Sequence, residues 1–232
     1  MIGLVVDIET TGFRNYDSQT GLLADSSEIL EVGYLRIDME TGGILNHGTL
    51  YFYKPYFQVE SDAQKIHGLT RSFLEPYEKD FNTNLLMLNS LIQKTCIIGK
   101  NSEGFDIPFI RDFLIKHSDG VLDFQSLIMK AKIKKYDDSW LMYDPLEFSL
   151  DLQKIFKDEF HRLYYKKTGI ELAPQKRGTL TDYINAIDGA QECVDAIYNS
   201  LEKARETRAH GALYDCVATY VVWFYCKQNE LY

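Results

Sequence analysis

The stretch VVDIETTG, residues 5–12, sets two acids, Asp7 and Glu9, into an apolar run that otherwise reads as a buried strand. Acids are depleted in strands and seldom fully buried unless paired. Strand alternation puts Leu4, Val6 and Ile8 on one face and Val5, Asp7 and Glu9 on the other. The two acids then lie ~6.6 Å apart along the backbone and repel each other. A divalent cation removes that repulsion and supplies the pairing that burial requires. Taken alone, the pair also fits an edge strand with a solvated face.

Outward from this stretch, EILEVGYLRID (28–38) and GTLYFYK (48–54) read as two further strands, joined through the turn Thr41-Gly42-Gly43. NTNLLMLNSLIQK (82–94) predicts a helix and TCIIG (95–99) a short buried strand. FDIPFIRDFLIKH (105–117) predicts a helix with Pro108 in its first turn, where a missing N–H costs little. Residues 124–135 read as a basic amphipathic helix. Residues 149–169 read as one strong helix with Ser149 as N-cap and Gly169 as its stop. Two helices follow over 180–188 and 190–205, and the last, 211–227, is apolar nearly all round and predicted to be buried. This order predicts an α/β fold, a mixed sheet flanked by helices. The 232 residues show no repeat, low-complexity segment or linker, so a single domain over 1–232 is expected, with a long helical stretch at about 170–209.

The net charge is −9, so a nucleic-acid partner would have to be gripped locally, by a pocket or by bound cations. Cys96, Cys193, Cys216 and Cys226 form no CxxC pair and have no zinc-like spacing with His. With no apolar stretch long enough for a membrane span and no leader-like start, a reduced, cytoplasmic protein is expected.

Three further positions carry candidate chemistry. Asp106 stands just ahead of the 107–117 helix, where the plain reading is an N-cap, and Asn101 reads as a turn residue. Asp215 lies within the final apolar helix, where a solvated acid is unexpected. Ala212, Ala218 and Thr219 share its face and would let that helix lie close against a sheet. His210 is five positions earlier, about 140° around a helix, so it belongs to the loop or cap before it, within reach of the site of Asp215.

In order and context these residues resemble the DEDDh 3′→5′ exonucleases, the DnaQ-like proofreading family with a ribonuclease H-like fold. DIETTG resembles the first family motif, NSEGFD (101–106) the second and HGALYD (210–215) the third, H-x-A-x-x-D. KIHGLT (65–70) resembles the I-H-G-I/L-T element, and YDPLEF (143–148) is similar to the D-T-L segment after the second motif. The spacing from Asn101 to Asp106 is one residue longer than the commonest form. FDIPFI also looks like replicative-polymerase exonuclease domains, but Gly211 stands where those carry a Tyr, which favours the His type.

The resemblance implies a mostly five-stranded sheet and a metal centre of Asp7, Glu9, Asp106 and Asp215, with His210 as general base. Four carboxylates suit two Mg²⁺ or Mn²⁺ ions, and two such ions roughly 3.5–4 Å apart clamp a phosphodiester for in-line displacement. The implied products are nucleoside 5′-monophosphates from a 3′ end, with single-stranded DNA the favoured substrate and a polymerase or replication partner. Thr10, Thr11, Gly12, Phe13, His67, Asn101 and Phe105 are the expected contacts to the terminal nucleotide, and Lys130, Lys132, Lys134 and Lys135 read as a backbone track or a solvated face. The alternatives are an RNA-trimming exonuclease, a noncatalytic nucleic-acid-binding or polymerase-associated subunit, and a small-molecule metal phosphoesterase.

Overall fold

Strand β1 (Ile2–Thr10) is the centre of a five-stranded sheet of order β3-β2-β1-β4-β5. The computed structural model describes residues 1–12, 28–93, 95–118, 149–201 and 211–232. The basic segment 124–135, the 143–148 segment, Phe13 and His210 lie outside the described residues. β2 (Ile29–Asp38) runs antiparallel to β1, and β3 (Ile44–Tyr51) antiparallel to β2. On the other side β4 (Cys96–Gly99) is parallel to β1, and β5 (Ser149–Asp151) parallel to β4. The mixed sheet is as expected.

The alternation in β1 separates two cores. Leu4, Val6 and Ile8 pack with residues of α3 (Phe81–Ile92) and α4 (Asp106–His117), including Leu85, Leu88, Phe109 and Phe113. Val5 packs on the opposite face with Leu35, Ile37, Ile98 and the buried residues of the C-terminal helices. Between β3 and α3 the chain forms α1 (Ser61–His67), α2 (Arg71–Leu74) and a 3-10 turn over Glu75–Asp80. After β5 come α5 (Leu152–Ile155), α6 (Lys157–Thr168), α7 (Leu180–Ala186), α8 (Ala190–Leu201) and α9 (Ala212–Gln228). Thus α7 and α8 occupy the 170–209 stretch and pack on α9.

Two expectations are corrected. Ser149–Asp151 is strand rather than the first turn of a helix, because its backbone fills the edge beside β4, with Ile98 opposite Leu150 and Gly99 opposite Asp151. The helical cap is therefore Asp151, whose carboxylate accepts the Gln153 N–H at 2.9 Å. The third strand also starts earlier than 48, at Ile44, because the turn returns it at once to pair with Ile37. Gly42 supports that turn with φ 81°, in the left-handed region.

The final helix approaches the sheet closely at one point. Gly33 of β2 stands opposite Asp7 of β1, and a Cβ there would lie 2.3 Å from the Ala212 carbonyl carbon and 2.4 Å from the Leu213 nitrogen. Only a missing side chain lets the start of α9 rest on β2. Gly33→Val should therefore lower stability by about 1–3 kcal/mol through overpacking and force α9 outward. Gly43→Ala, whose added methyl meets only the Thr41 hydroxyl at 3.3 Å, should change it little. Thermal melts of the two variants check this, and an equal melting temperature for Gly33→Val and the unmodified protein would contradict it.

Candidate active site

Asp7 and Glu9 project from β1 toward the face on which α9 lies, and Asp215 stands in the first turn of α9. One carboxylate oxygen from each of Asp7, Glu9 and Asp215 can be chosen so that all three lie within 4.8 Å of one another. All three side chains are half-buried, which leaves the cluster open to a ligand. The small residues of α9 serve as expected, since the Gly33–Ala212 contact brings Asp215 to the strand that carries the other two acids.

Asp106 is buried, and it is the first residue of α4 rather than its N-cap, a place taken by Phe105. It stands outside the three-carboxylate set, yet it raises the Asp7 pKa more than any other charge does. Burial first, then Asp106, Asp215, Glu9 and Glu31, push the Asp7 carboxyl well above the usual carboxylate range. Burial first, then Asp7, Asp215 and Asp106, push the thiol of Cys216, buried on α9, well above its usual range.

Glu31 was not foreseen. It sits directly across the β1–β2 ladder from Glu9, and it is 3% exposed. Its strand reads as ordinary alternation, with Glu31, Gly33 and Leu35 on one face. The signal was an acid on that face, and only the cross-strand register shows that it meets Glu9.

The turn after β1 is held from several sides. The ladder shifts register between Glu9 and Thr10, an irregularity that re-aims side chains beside functional sites. The Thr10 hydroxyl donates to the Gly12 carbonyl at 2.8 Å. Thr11 exchanges backbone and side-chain bonds with Glu28, whose N–H donates to the Thr11 hydroxyl at 2.9 Å. Glu28 in turn is buried between Lys116, at 2.6 Å, and His117, at 2.7 Å, at the end of α4. Thr11 is thus enclosed in the scaffold.

A groove beside the acids is lined by Glu9, Thr10, Gly12, Glu60, Ala63, Ile66, His67 and Phe105. Thr10, Gly12, His67 and Phe105 therefore meet on its lining, while Thr11 and Asn101 are not part of it. His67 is buried and accepts the Leu69 N–H through Nδ1 at 2.9 Å, which places the hydrogen of a neutral ring on Nε2. Ile66 beside it is 69% exposed. Asn101 adopts φ 62°, donates its N–H to Asp151 at 2.9 Å and accepts from Gln153 at 3.2 Å. Its carbonyl receives the N–H groups of Gly104 and Phe105, so its part is to shape the loop leading into Asp106. His210 immediately precedes Gly211, the N-cap residue of α9, in the sequence.

The donor set fits a divalent cation. It is all carboxylate, its members repel one another, and a hard cation prefers oxygen ligands. Among the described residues, no helix is long and apolar enough to cross a membrane.

Several solved structures share this fold. Escherichia coli exonuclease I in complex with a dT13 oligonucleotide matches with TM-score 0.57 and 16% identity, covering 99% of this chain and 41% of that one. The nuclease domain of 3′hExo, described as a DEDDh family member and bound to rAMP, matches with TM-score 0.55 and 12% identity, covering 98% and 92%. A 3′-exonuclease that recognises the histone mRNA stem-loop matches with TM-score 0.52 and 12% identity, covering 98% and 82%. The chain spans about two-fifths of the length of the exonuclease I chains it matches. No curated protein matches it by sequence. The profile of the RNase_T family, described as exonuclease, matches residues 4–162, well over half of the chain. With that match, and with a mixed sheet bearing acids on β1, α4 and α9, the chain belongs to the exonuclease family, nucleases built on the ribonuclease H-like fold.

Proposed function

We propose that the protein is a DEDDh-type 3′→5′ exonuclease that removes nucleoside 5′-monophosphates from single-stranded DNA. The observation that carries this reading is the convergence of Asp7, Glu9 and Asp215, from two separate elements, with Asp106 acting on the same point. Asp7, Glu9, Asp106 and Asp215 would hold two Mg²⁺ or Mn²⁺ ions, which supply Lewis acidity to the phosphoryl centre and stabilise the leaving 3′ oxygen. His210 accepts the proton of the attacking water, a task that suits an imidazole. The terminal nucleoside occupies the groove between Phe105, Ile66 and His67, whose contacts suit any base. The single domain over 1–232 and a cytoplasmic site of action belong to the same proposal, and a polymerase partner rests on the resemblance alone.

RNA is the second reading, favoured by the rAMP bound to the 3′hExo nuclease domain. An assay on 5′-labelled single-stranded DNA and RNA decides between them. With Mg²⁺ the DNA should shorten from its 3′ end to a ladder, and EDTA should abolish the ladder. Undiminished cleavage in EDTA, or loss of the 5′ label as the first product, would contradict the mechanism.

Asp7→Asn should lower activity by at least ~10²-fold, because it removes a ligand charge. It should also raise the melting temperature of metal-free protein. The sign follows from the raised Asp7 pKa: the folded state holds the proton more tightly than the unfolded chain. The ionised carboxyl therefore costs stability at neutral pH, and that cost is relieved as pH falls through the folded-state pKa. An active or less stable metal-free Asp7→Asn protein would contradict the assignment.

His210→Ala should cut the rate by about 10²–10⁴-fold while Mn²⁺ affinity survives. The acid limb of the pH–rate profile should disappear with it. A near-normal rate per folded molecule, with a lowered melting temperature, would make His210 structural.

A further inference from the structure

We propose that Glu28 and Lys116, with His117, are positioning residues for the groove beside the acids. Their charge cluster fixes the spacing of the groove's walls and so sets how tightly the terminal nucleotide is held. The identity of that occupant rests on the exonuclease reading, which the proposal deepens.

Three elements wall the groove. The turn after β1 contributes Thr10 and Gly12, α1 contributes Ala63, Ile66 and His67, and Phe105 stands at the N-cap of α4. Thr11 is not on the lining, yet it joins the first two walls. Its carbonyl accepts the N–H of Glu60, the N-cap residue of α1, at 2.8 Å. Its own N–H donates to the Glu28 carbonyl at 2.9 Å, and its hydroxyl accepts the Glu28 N–H at 2.9 Å. Two bonds therefore lock Glu28 to this turn.

The third wall is reached through the Glu28 side chain. One carboxylate oxygen lies 2.6 Å from Lys116 Nζ and the other 2.7 Å from His117 Nε2. A carboxylate only accepts, so the His117 Nε2–H donates. Both partners sit in the last turn of α4, the helix that begins directly after Phe105. The His117 ring is held in turn by Phe57, Phe81 and Phe113, with centroids 6.1, 5.1 and 4.7 Å away. A helix of this length is a rod of about 18 Å, so fixing its last turn also fixes Phe105 at its other end.

Glu28 is 1% exposed, a place that an apolar side chain could fill. A buried ion pair carries a desolvation cost that an apolar residue avoids, so its value here is directional. One bond on each carboxylate oxygen permits one arrangement of turn and helix, where apolar packing permits several.

The test is calorimetric binding of thymidine or uridine 5′-monophosphate with Ca²⁺, beside the KM for strand shortening, below the melting temperature of each variant. Glu28→Gln keeps the shape but removes the charge. It should raise Kd and KM on the order of 10-fold, the worth of a hydrogen bond to a charged group, while Mn²⁺ affinity stays unchanged. Lys116 is half-buried, so Lys116→Met is tolerated by the fold and should do the same. Lys116→Arg, which keeps the charge, should retain most of the affinity. The double variant should lose no more than Glu28→Gln alone, because the two changes remove one interaction. Unchanged Kd and KM with a lower melting temperature would make the cluster a structural brace only and overturn the proposal. Additive losses would overturn it too, as would a parallel loss of Mn²⁺ affinity, which would place the effect at the acids. Failure of the unmodified protein to bind either nucleotide and to shorten DNA or RNA would remove the exonuclease reading, and the proposal with it.

Discussion

The constraint on which the structure depends is the repulsion among carboxylates that the fold forces together. Asp7, Glu9 and Asp215 converge to within 4.8 Å, with Asp106 and Glu31 adding their charge. Nothing in hydrophobic burial favours that arrangement. It persists because the elements carrying the acids are fixed by cores on both faces of the sheet. Leu4, Val6 and Ile8 anchor one face of β1, while Val5 and the apolar face of α9 anchor the other. A hard cation would relieve that repulsion.

Position is enforced by a few local devices. Gly33 lets α9 touch β2 opposite Asp7, so the third motif is brought to the first by the absence of one side chain. The register shift after Glu9 and the Thr10–Gly12 bond turn the chain away from the sheet and open the groove. Glu28 ties Thr11 to the end of α4, the helix whose first residue is Asp106. The loop into Asp106 is shaped by Asn101 in the left-handed region, with Asp151 and Gln153 gripping it from β5 and α5. The ends of three parallel strands therefore meet at one edge of the sheet, and the chemistry collects there.

Much of this was legible in the residues. Alternation in β1 gave the common face of Asp7 and Glu9, and the acid inside an otherwise apolar helix marked Asp215. What stayed hidden depended on pairing between distant segments. Glu31 looked like an ordinary strand acid until the β1–β2 register set it against Glu9. Ser149–Asp151, with Leu150 between two polar residues, is too short to tell helix from strand, and only the open edge of β4 decides it. Asn101 read as a turn residue and a nucleotide contact, and the bond from Gln153 to its amide oxygen joins segments 52 residues apart, which no local pattern reveals.

A protein of net charge −9 that acts on nucleic acid, as proposed, must reverse its own field at the point of contact. The account assigns that reversal to cations held by the acid cluster. The most direct measurement is an anomalous difference map from crystals grown with Mn²⁺ and thymidine 5′-monophosphate. The account predicts Mn²⁺ peaks among Asp7, Glu9 and Asp215, with the nucleotide phosphate against them. A cluster without Mn²⁺, in crystals that bind the ion elsewhere, would contradict it.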